Sequence, residues 1–383
     1  MTVTRQIQIA QPSTGDEEWQ AVREPLASGW LTQGPKVAEF EKAFAERHRV
    51  KHAIAVTSCT TGLHLMLAAA GIGPGDEVVV PAFTWVSTAN VVVYTGATPV
   101  FVDVDRITYN IDLVDLARRI TPKTKAVIAV HLFGLCADVP AIRKVVPPGV
   151  KIFEDCACAA GASLGGVPAG GLADAGVFSF HPRKSITTGE GGMLTTNDSA
   201  FADVADRLRN HGASVSEEQR HLGPKPYLLP EFNLLGFNYR MTDLQGAVGL
   251  VQLRKLDRFV AERQRWAEYY REHLADIPWL RMPVFPESGT HAWQSFVTYV
   301  DPATAPLGRN TVMERLAARG IATRPGTHAV HMLRYYRDRY GLRPDDFPGA
   351  RDCNDQTMAI PLHNRMTDED YRCVVQSLHE VSS

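Results

Sequence analysis

Phe178-Ser179-Phe180-His181-Pro182-Arg183-Lys184-Ser185-Ile186-Thr187-Thr188-Gly189-Glu190-Gly191-Gly192-Met193 sets one lysine in a hydroxyl- and glycine-rich turn between two apolar runs. Lys184 is the only lysine between Phe153 and Pro224. Twenty-nine positions upstream (184 − 155), a second apolar run, Lys151-Ile152-Phe153-Glu154-Asp155, ends on an acid. A lysine amine able to form a Schiff base, with an acid placed to protonate a pyridine nitrogen, is what pyridoxal phosphate (PLP) requires of a protein. The expectation is a PLP enzyme with Lys184 and Asp155 as its catalytic pair.

Around this stretch, apolar runs alternate with helical patterns. Ala53–Val56 reads as a short strand, followed by a break at Ser58-Cys59-Thr60-Thr61 and a helix over Leu63–Ala70 that Gly71 and Gly73 stop. Further strands are expected over Glu77–Pro81, Thr98–Val104, Ala126–His131, Lys151–Asp155, Ala175–Phe180 and Gly192–Thr196. Most are continuously apolar, the mark of a sheet covered on both faces, and strands alternating with helices imply an α/β fold with a mostly parallel sheet. From Leu244 to about Leu274 the pattern becomes one long amphipathic helix. A strand over Trp293–Val300 and a helix over Thr311–Arg319 follow, with Asn310 as N-cap and Gly320 as stop. The expected division is a large PLP-binding domain over residues 1–250 and a small α+β domain over 251–383.

At 383 residues, 45% hydrophobic and 21% charged, the chain has the composition of a soluble globular protein. Its net charge of −2 gives no long-range field to attract nucleic acid or an anionic membrane. No apolar run approaches the roughly 20 residues of a membrane helix. Met1–Ala10 lacks the charged segment and apolar core of a secretion signal. Of the six cysteines only Cys156 and Cys158 lie close together, without a second pair to complete a zinc site. Reduced thiols, no metal and a cytoplasmic location are expected.

Several residues fit a cofactor site and also fit ordinary structural roles. Ser58-Cys59-Thr60-Thr61 opens a helix whose first N–H groups would welcome a phosphate, or Ser58 or Thr60 is simply an N-cap. Trp85, beyond the buried run ending at Pro81, offers an aromatic face for a pyridine ring, or is a core tryptophan. Strand alternation puts Phe153, Asp155 and Ala157 on one face, with Glu154, Cys156 and Cys158 on the other. Asp155 is then a buried acid in need of a cation, or caps the next helix. Ala157 is small enough to lie beneath the ring opposite Trp85.

Together these pieces resemble the DegT/DnrJ/StrS sugar aminotransferases, a family of PLP fold-type I. The resemblance runs from about Val22 to the C-terminal helix. It is carried by Ser28–Pro35, Gly73–Val78, Pro81–Asp105, Glu154-Asp155, Phe178–Met193 and Gly236-Phe237-Asn238-Tyr239-Arg240-Met241-Thr242. It implies Lys184 as the Schiff-base lysine and proton carrier, Asp155 as the ring-nitrogen acid and Trp85 as the stacking aromatic. It implies phosphate contacts from Cys59, Thr60 and Ser179, and from Asn238 to the cofactor of a neighbouring subunit, hence a homodimer with shared sites. The chain departs from the family pattern at Cys158, where histidine or glutamine usually stands near the cofactor's phenolic oxygen, and at Cys59, where glycine is frequent. Thr32 and the segment Arg324–His331 resemble substrate-facing loops. Arg324 is a candidate for a phosphate or a donor carboxylate and His331 for the sugar, the alternative being plain loop roles.

The implied activity is transfer of an amino group from L-glutamate to a keto-deoxysugar, nucleotide-linked, in aminosugar biosynthesis. Amination of a cyclitol ketone is an open alternative. A sugar dehydratase would carry histidine in place of Lys184, and a non-catalytic PLP-binding regulator would carry a basic DNA-binding module, which the sequence lacks.

Overall fold

The computed structural model describes residues 6–214, 227 and 229–382. Its strands, in chain order, are β1 His52–Val56, β2 Glu77–Pro81, β3 Phe83–Thr84, β4 Thr98–Val102, β5 Thr124–Val130, β6 Lys151–Asp155, β7 Ser163–Leu164 and β8 Val167–Pro168. They continue with β9 Ala175–Ser179, β10 Gly192–Thr196, β11 Leu280–Arg281, β12 Phe296–Val300, β13 Arg324–Pro325, β14 His328–Ala329 and β15 Thr357–Ile360. The main sheet has seven strands in the order β1-β10-β9-β6-β5-β2-β4. Adjacent pairs from β9 to β4 are parallel, and β10 alone runs against its neighbours. This is the α/β, mostly parallel architecture that the apolar runs imply.

Continuity of those runs has the expected cause. Val78–Pro81, Ile152–Asp155 and all of β9 and β10 are buried, because helices cover both faces of the sheet. The helix after β1 spans Cys59–Ala69, and Gly71 leaves it at φ +70, a conformation that favours glycine.

A second sheet, β11-β12-β15-β13, lies in the C-terminal part. The long helix, Asp243–His273, joins the two regions: Leu256 and Phe259 pack with Phe40 and Phe180, and Trp266 and Tyr270 pack with Phe296 and Tyr371. At the helix N-terminus Asp243 accepts hydrogen bonds from the N–H groups of Gly34 (2.9 Å), Lys36 (3.1 Å) and Val37 (3.0 Å), so one carboxylate pins the start of two helices. A two-residue ladder, His328↔Thr84 and Ala329↔Phe83, ties the C-terminal segment to the strand that follows β2.

Several boundaries differ from expectation: the helix after β1 starts at Cys59 rather than Leu63, and β4, β5 and β9 end at Val102, Val130 and Ser179, one or two residues early. The strand ending at Val300 starts at Phe296 rather than Trp293, because Trp293 sits at φ +47, with its N–H on His291 Nδ1 and its carbonyl on Arg263. The following helix is Arg309–Ala318 with Gly308, not Asn310, at the N-cap; the Asn310 side-chain Oδ1 accepts from Arg309 Nε instead. All six cysteines are free thiols. Among the described residues no helix is long and apolar enough to cross a membrane.

Three of the buried histidines are driven far toward the neutral ring. Desolvation lowers His48 and His291 to about 3 and His363 to about 4. Their unfolded values lie near 6.5, so between those limits the unfolded chain binds more protons and stability drops as pH falls. Urea unfolding at pH 7, 6, 5 and 4 should show a midpoint that declines steadily below about pH 6.5. A midpoint flat across that range would contradict neutral burial of these rings.

Candidate active site

The carboxyl ends of β1, β6 and β9 meet at one edge of the sheet, where open α/β folds bind ligands. A cavity of about 440 Å³ opens there, and Ser58, Cys59, Thr60, Trp85, Asp155, Ala157, Ser179, Lys184 and Arg324 all line it. Residues as far apart as 58 and 324 in the chain therefore share one wall.

Asp155 ends β6 with only 4% of its surface exposed. Thr88 Oγ1 donates to Oδ2 at 2.8 Å and the Ala157 N–H donates to Oδ1 at 3.1 Å. Burial pushes the carboxyl above its ordinary range, while these two bonds and the Lys184 charge pull it back. It does not cap a helix. Among the described residues no cation forms an ion pair with it, so the cavity holds a buried acid that a cationic ring N–H would satisfy.

Lys184 rides on a turn closed by Phe180 N–H to Gly191 O (2.9 Å) and Thr188 N–H to Phe180 O (3.0 Å). Its own N–H reaches His181 O (2.9 Å). The side chain is half-buried, and Nζ lies 3.3 Å from Cys158 Sγ. Cys158 is thus on the cavity side, contrary to the alternation drawn through it. The strand stops at Asp155 and turns, with Ala159 N–H on Cys156 O at 2.9 Å, so Cys158 joins Ala157 at the site while Cys156 stays fully buried.

At the start of the helix Cys59–Ala69, Ser58 Oγ accepts from Thr61 N–H (3.1 Å) and Thr61 Oγ1 accepts from Ser58 N–H (3.0 Å). Ser58 is the N-cap, and the Cys59 and Thr60 N–H groups, which have no intrahelical acceptor, remain for an anion. The Cys59 side chain turns instead toward Asp155, with Sγ 4.0 Å from Oδ1. Burial and that carboxylate push the thiol well above its usual range and keep it neutral. Gly192, paired with both Val56 and Ser179, permits this close packing: a Cβ there would lie 2.7 Å from the Ser58 carbonyl carbon.

Trp85 is 58% exposed, so it is a cavity wall and not a core residue, and the His328 ring lies 5.5 Å from it at 30°. Arg324 donates to Ser295 Oγ (3.3 Å), its Nε is buried without a hydrogen-bond partner, and burial lowers its pKa. An acceptor with negative charge would satisfy it.

Three expected residues are not brought to the cavity. His331 is fully buried, with Nε2 on Pro344 O (3.2 Å) and its ring edge-on to Phe347, so it faces the protein interior instead of a sugar. Thr32 is exposed, and its carbonyl accepts from Asp243 N–H. Asn238 forms a bridge with Asn210 outside the cavity of its own chain. Conversely, Thr88, His181, Arg183, Gln294 and His328 belong to the site or touch it without having been singled out. Thr88 Oγ1 lies 3.1 Å from Thr84 Oγ1 of β3, and His181 and Arg183 flank Lys184, which is a readable signal. Gln294, whose Nε2 donates to Arg183 O (2.8 Å), had none.

Residues 12–379 match the DegT/DnrJ/EryC1/StrS aminotransferase family. The chain belongs to that family. SpsC of Bacillus subtilis (strain 168), a spore coat polysaccharide biosynthesis protein, is 41% identical over 372 residues, 97% of this chain and 95% of that protein. Helicobacter pylori PseC, an aminotransferase involved in the biosynthesis of pseudoaminic acid, superposes at TM-score 0.90 with 27% identity, over 98% of this chain and 99% of that one. Spr1654 of Streptococcus pneumoniae, assigned as a sugar aminotransferase, superposes in its PLP form at TM-score 0.91 with 27% identity over 99% of each chain. The fold is PLP fold-type I, and the protein is a PLP-dependent aminotransferase.

The donor set fits the cofactor: an amine on one wall, a buried acid without a cation, and free helix N–H groups at the glycine cradle. Gly192→Ala should push the Ser58–Cys59 turn outward and weaken PLP binding by about tenfold or more. Fluorescence titration of the apoprotein with PLP reads this directly, and wild-type affinity would exclude a phosphate at that turn.

Proposed function

We propose that this enzyme moves an amino group from L-glutamate to the ketone carbon of a nucleotide-linked keto-deoxysugar, as a homodimer in the cytoplasm. The convergence of the Lys184 amine and the buried Asp155 carboxylate on one cavity supports this most directly. The sugar class draws support from the relatives, whose names tie them to a spore coat polysaccharide and to pseudoaminic acid.

Bound PLP supplies an aldehyde that takes up the donor's amine and a ring that takes up the electron pair released at carbon. Lys184, already at the cavity wall, is the amine that would hold that aldehyde and then carry a proton between the cofactor and substrate carbons. Asp155 would keep a proton on the ring nitrogen, its own desolvation relieved by the positive partner. Trp85 and Ala157 would hold the two ring faces. The Cys59 and Thr60 N–H groups and the Ser179 hydroxyl would take the phosphate, with Asn238 reaching the phosphate of the other subunit's cofactor.

Arg324 would take an anionic group of either substrate, donor carboxylate or sugar-linked phosphate. In this reading residues 1–250 form the large domain and 251–383 the small one, which meet along the long helix.

The donor half is testable without the sugar. Adding L-glutamate to the PLP-loaded enzyme should abolish its visible band and yield 2-oxoglutarate and pyridoxamine phosphate; an unchanged spectrum would rule glutamate out. Lys184→Ala should lower turnover by about 10²-fold or more, to background, and full activity in that variant would refute the assignment. Asp155→Asn should lower kcat by about tenfold or more; unchanged turnover would mean another group serves the ring nitrogen.

A further inference from the structure

Glu154 stands beside Asp155 in the chain but points to the opposite face of β6, into the interior, and the reaction as described gives it no task. Its side chain and that of His131 are both 0% exposed, with His131 Nε2 2.8 Å from Glu154 Oε2. The Ala137 N–H donates to His131 Nδ1 at 3.0 Å. That nitrogen is therefore an acceptor, the ring proton sits on Nε2, and His131 is a neutral donor to Glu154.

The remaining acceptor positions of Glu154 are filled by backbone. Gly170 N–H donates to Oε2 at 2.8 Å and Ala173 N–H to Oε1 at 2.8 Å, while Cys156 Sγ lies 3.8 Å from Oε2. This carboxylate is held by hydrogen bonds alone, an arrangement that a buried charge tolerates only when every one is made. The chain is shaped to make them. Gly170 adopts φ +83, and a Cβ on Gly176 would lie 2.7 Å from the Gly170 Cα, so two glycines let the 170–173 segment reach Glu154. The ligand atoms of His131, Glu154 and Cys156 lie within 4.8 Å of one another, which is metal-like spacing, but the hydrogen bonds already occupy them.

The pair also reaches the active site through backbone. The His131 N–H donates to Asp155 O at 3.0 Å, and β5 and β6 align Val130 with Asp155. Beyond His131 the chain turns through Leu132 and Phe133, both of which line the cavity. The carbonyls of Phe133 and Gly134 then accept from Ser295 N–H (3.3 Å) and Ala292 N–H (2.9 Å), on either side of Gln294, another cavity residue.

We infer that the buried Glu154–His131 pair is a positioning element of the active site, which fixes the Asp155 carboxylate and the Leu132–Phe133 wall in one register. It rests on the reading of Asp155 as the ring-nitrogen acid. Neither residue touches substrate or cofactor. Their effect passes through the end of β6 and the turn after β5.

The experiment compares Glu154→Gln, His131→Leu, His131→Gln and Asp155→Asn. Glu154→Gln sets an amide NH₂ against a backbone N–H, and His131→Leu removes the donor. His131→Gln keeps a donor near Nε2. Circular dichroism selects the folded apoproteins, and PLP affinity is then measured by titration, which needs no knowledge of donor or sugar. The glutamate half-reaction gives kcat and KM. Glu154→Gln and His131→Leu should weaken PLP binding and lower kcat by about tenfold or more, with KM for the donor within about twofold, whereas His131→Gln should stay within about threefold of wild type.

Wild-type PLP affinity and kcat in folded His131→Leu would overturn the inference, as would a His131→Gln no better than His131→Leu. Should Glu154→Gln fail to fold, the two His131 variants decide. If Asp155→Asn itself binds PLP and turns over as wild type, the role of Asp155 falls and the inference with it. If only Asp155→Asn is impaired, the pair serves the fold alone and the reading of Asp155 stands.

Discussion

Placing an acid at the buried end of a strand is the constraint around which this molecule is arranged. Asp155 is withdrawn from water, and its carboxylate accepts from a threonine hydroxyl and one backbone N–H, with the Cys59 thiol 4.0 Å away, but forms no ion pair among the described residues. Burying an ionised carboxylate is costly unless a partner compensates for it, so this acid carries a deficit that a cationic group relieves. That deficit suits the role proposed for Asp155, which is to hold a proton on the cofactor's ring nitrogen. The surrounding elements then serve a common end: β9 brings the lysine turn alongside, β1 hands over to a helix with free N–H groups, and the strand after β2 brings an indole.

Much of this was legible in the chain. A single lysine in a turn of hydroxyls and glycines, and an acid ending an apolar run, identify themselves because burial of such residues needs a reason. Strand positions were legible because a sheet covered on both faces leaves no polar interruptions. The errors have one common cause, which is that periodicity holds only while the element lasts. Alternation carried past Asp155 sent Cys158 to the wrong face, though the strand had ended three residues earlier. Of two histidines in one loop, His331 was singled out for the sugar and His328 was the one at the cavity. Loop side chains follow no period: the β14–β3 ladder sets His328 beside the cavity, while His331 lies past it in the turn over Val330–Met332, against Pro344 and Phe347.

Roles supplied by another chain are a different matter. Asn238 lies outside the cavity of its own subunit, and nothing local distinguishes it from any other loop asparagine. The role proposed for it depends on a second subunit, which no reading of one chain's periodicity contains.

The ladder between His328–Ala329 and Phe83–Thr84 has a consequence for how such an enzyme diversifies. Its hydrogen bonds run between backbones, so they hold the C-terminal loop against β3 whatever side chains the loop displays. Residue 328 can be exchanged while the loop keeps its register beside Trp85. Attachment of the loop thus rests on backbone atoms, and the side chain at position 328 can change the surface of the cavity without detaching its wall.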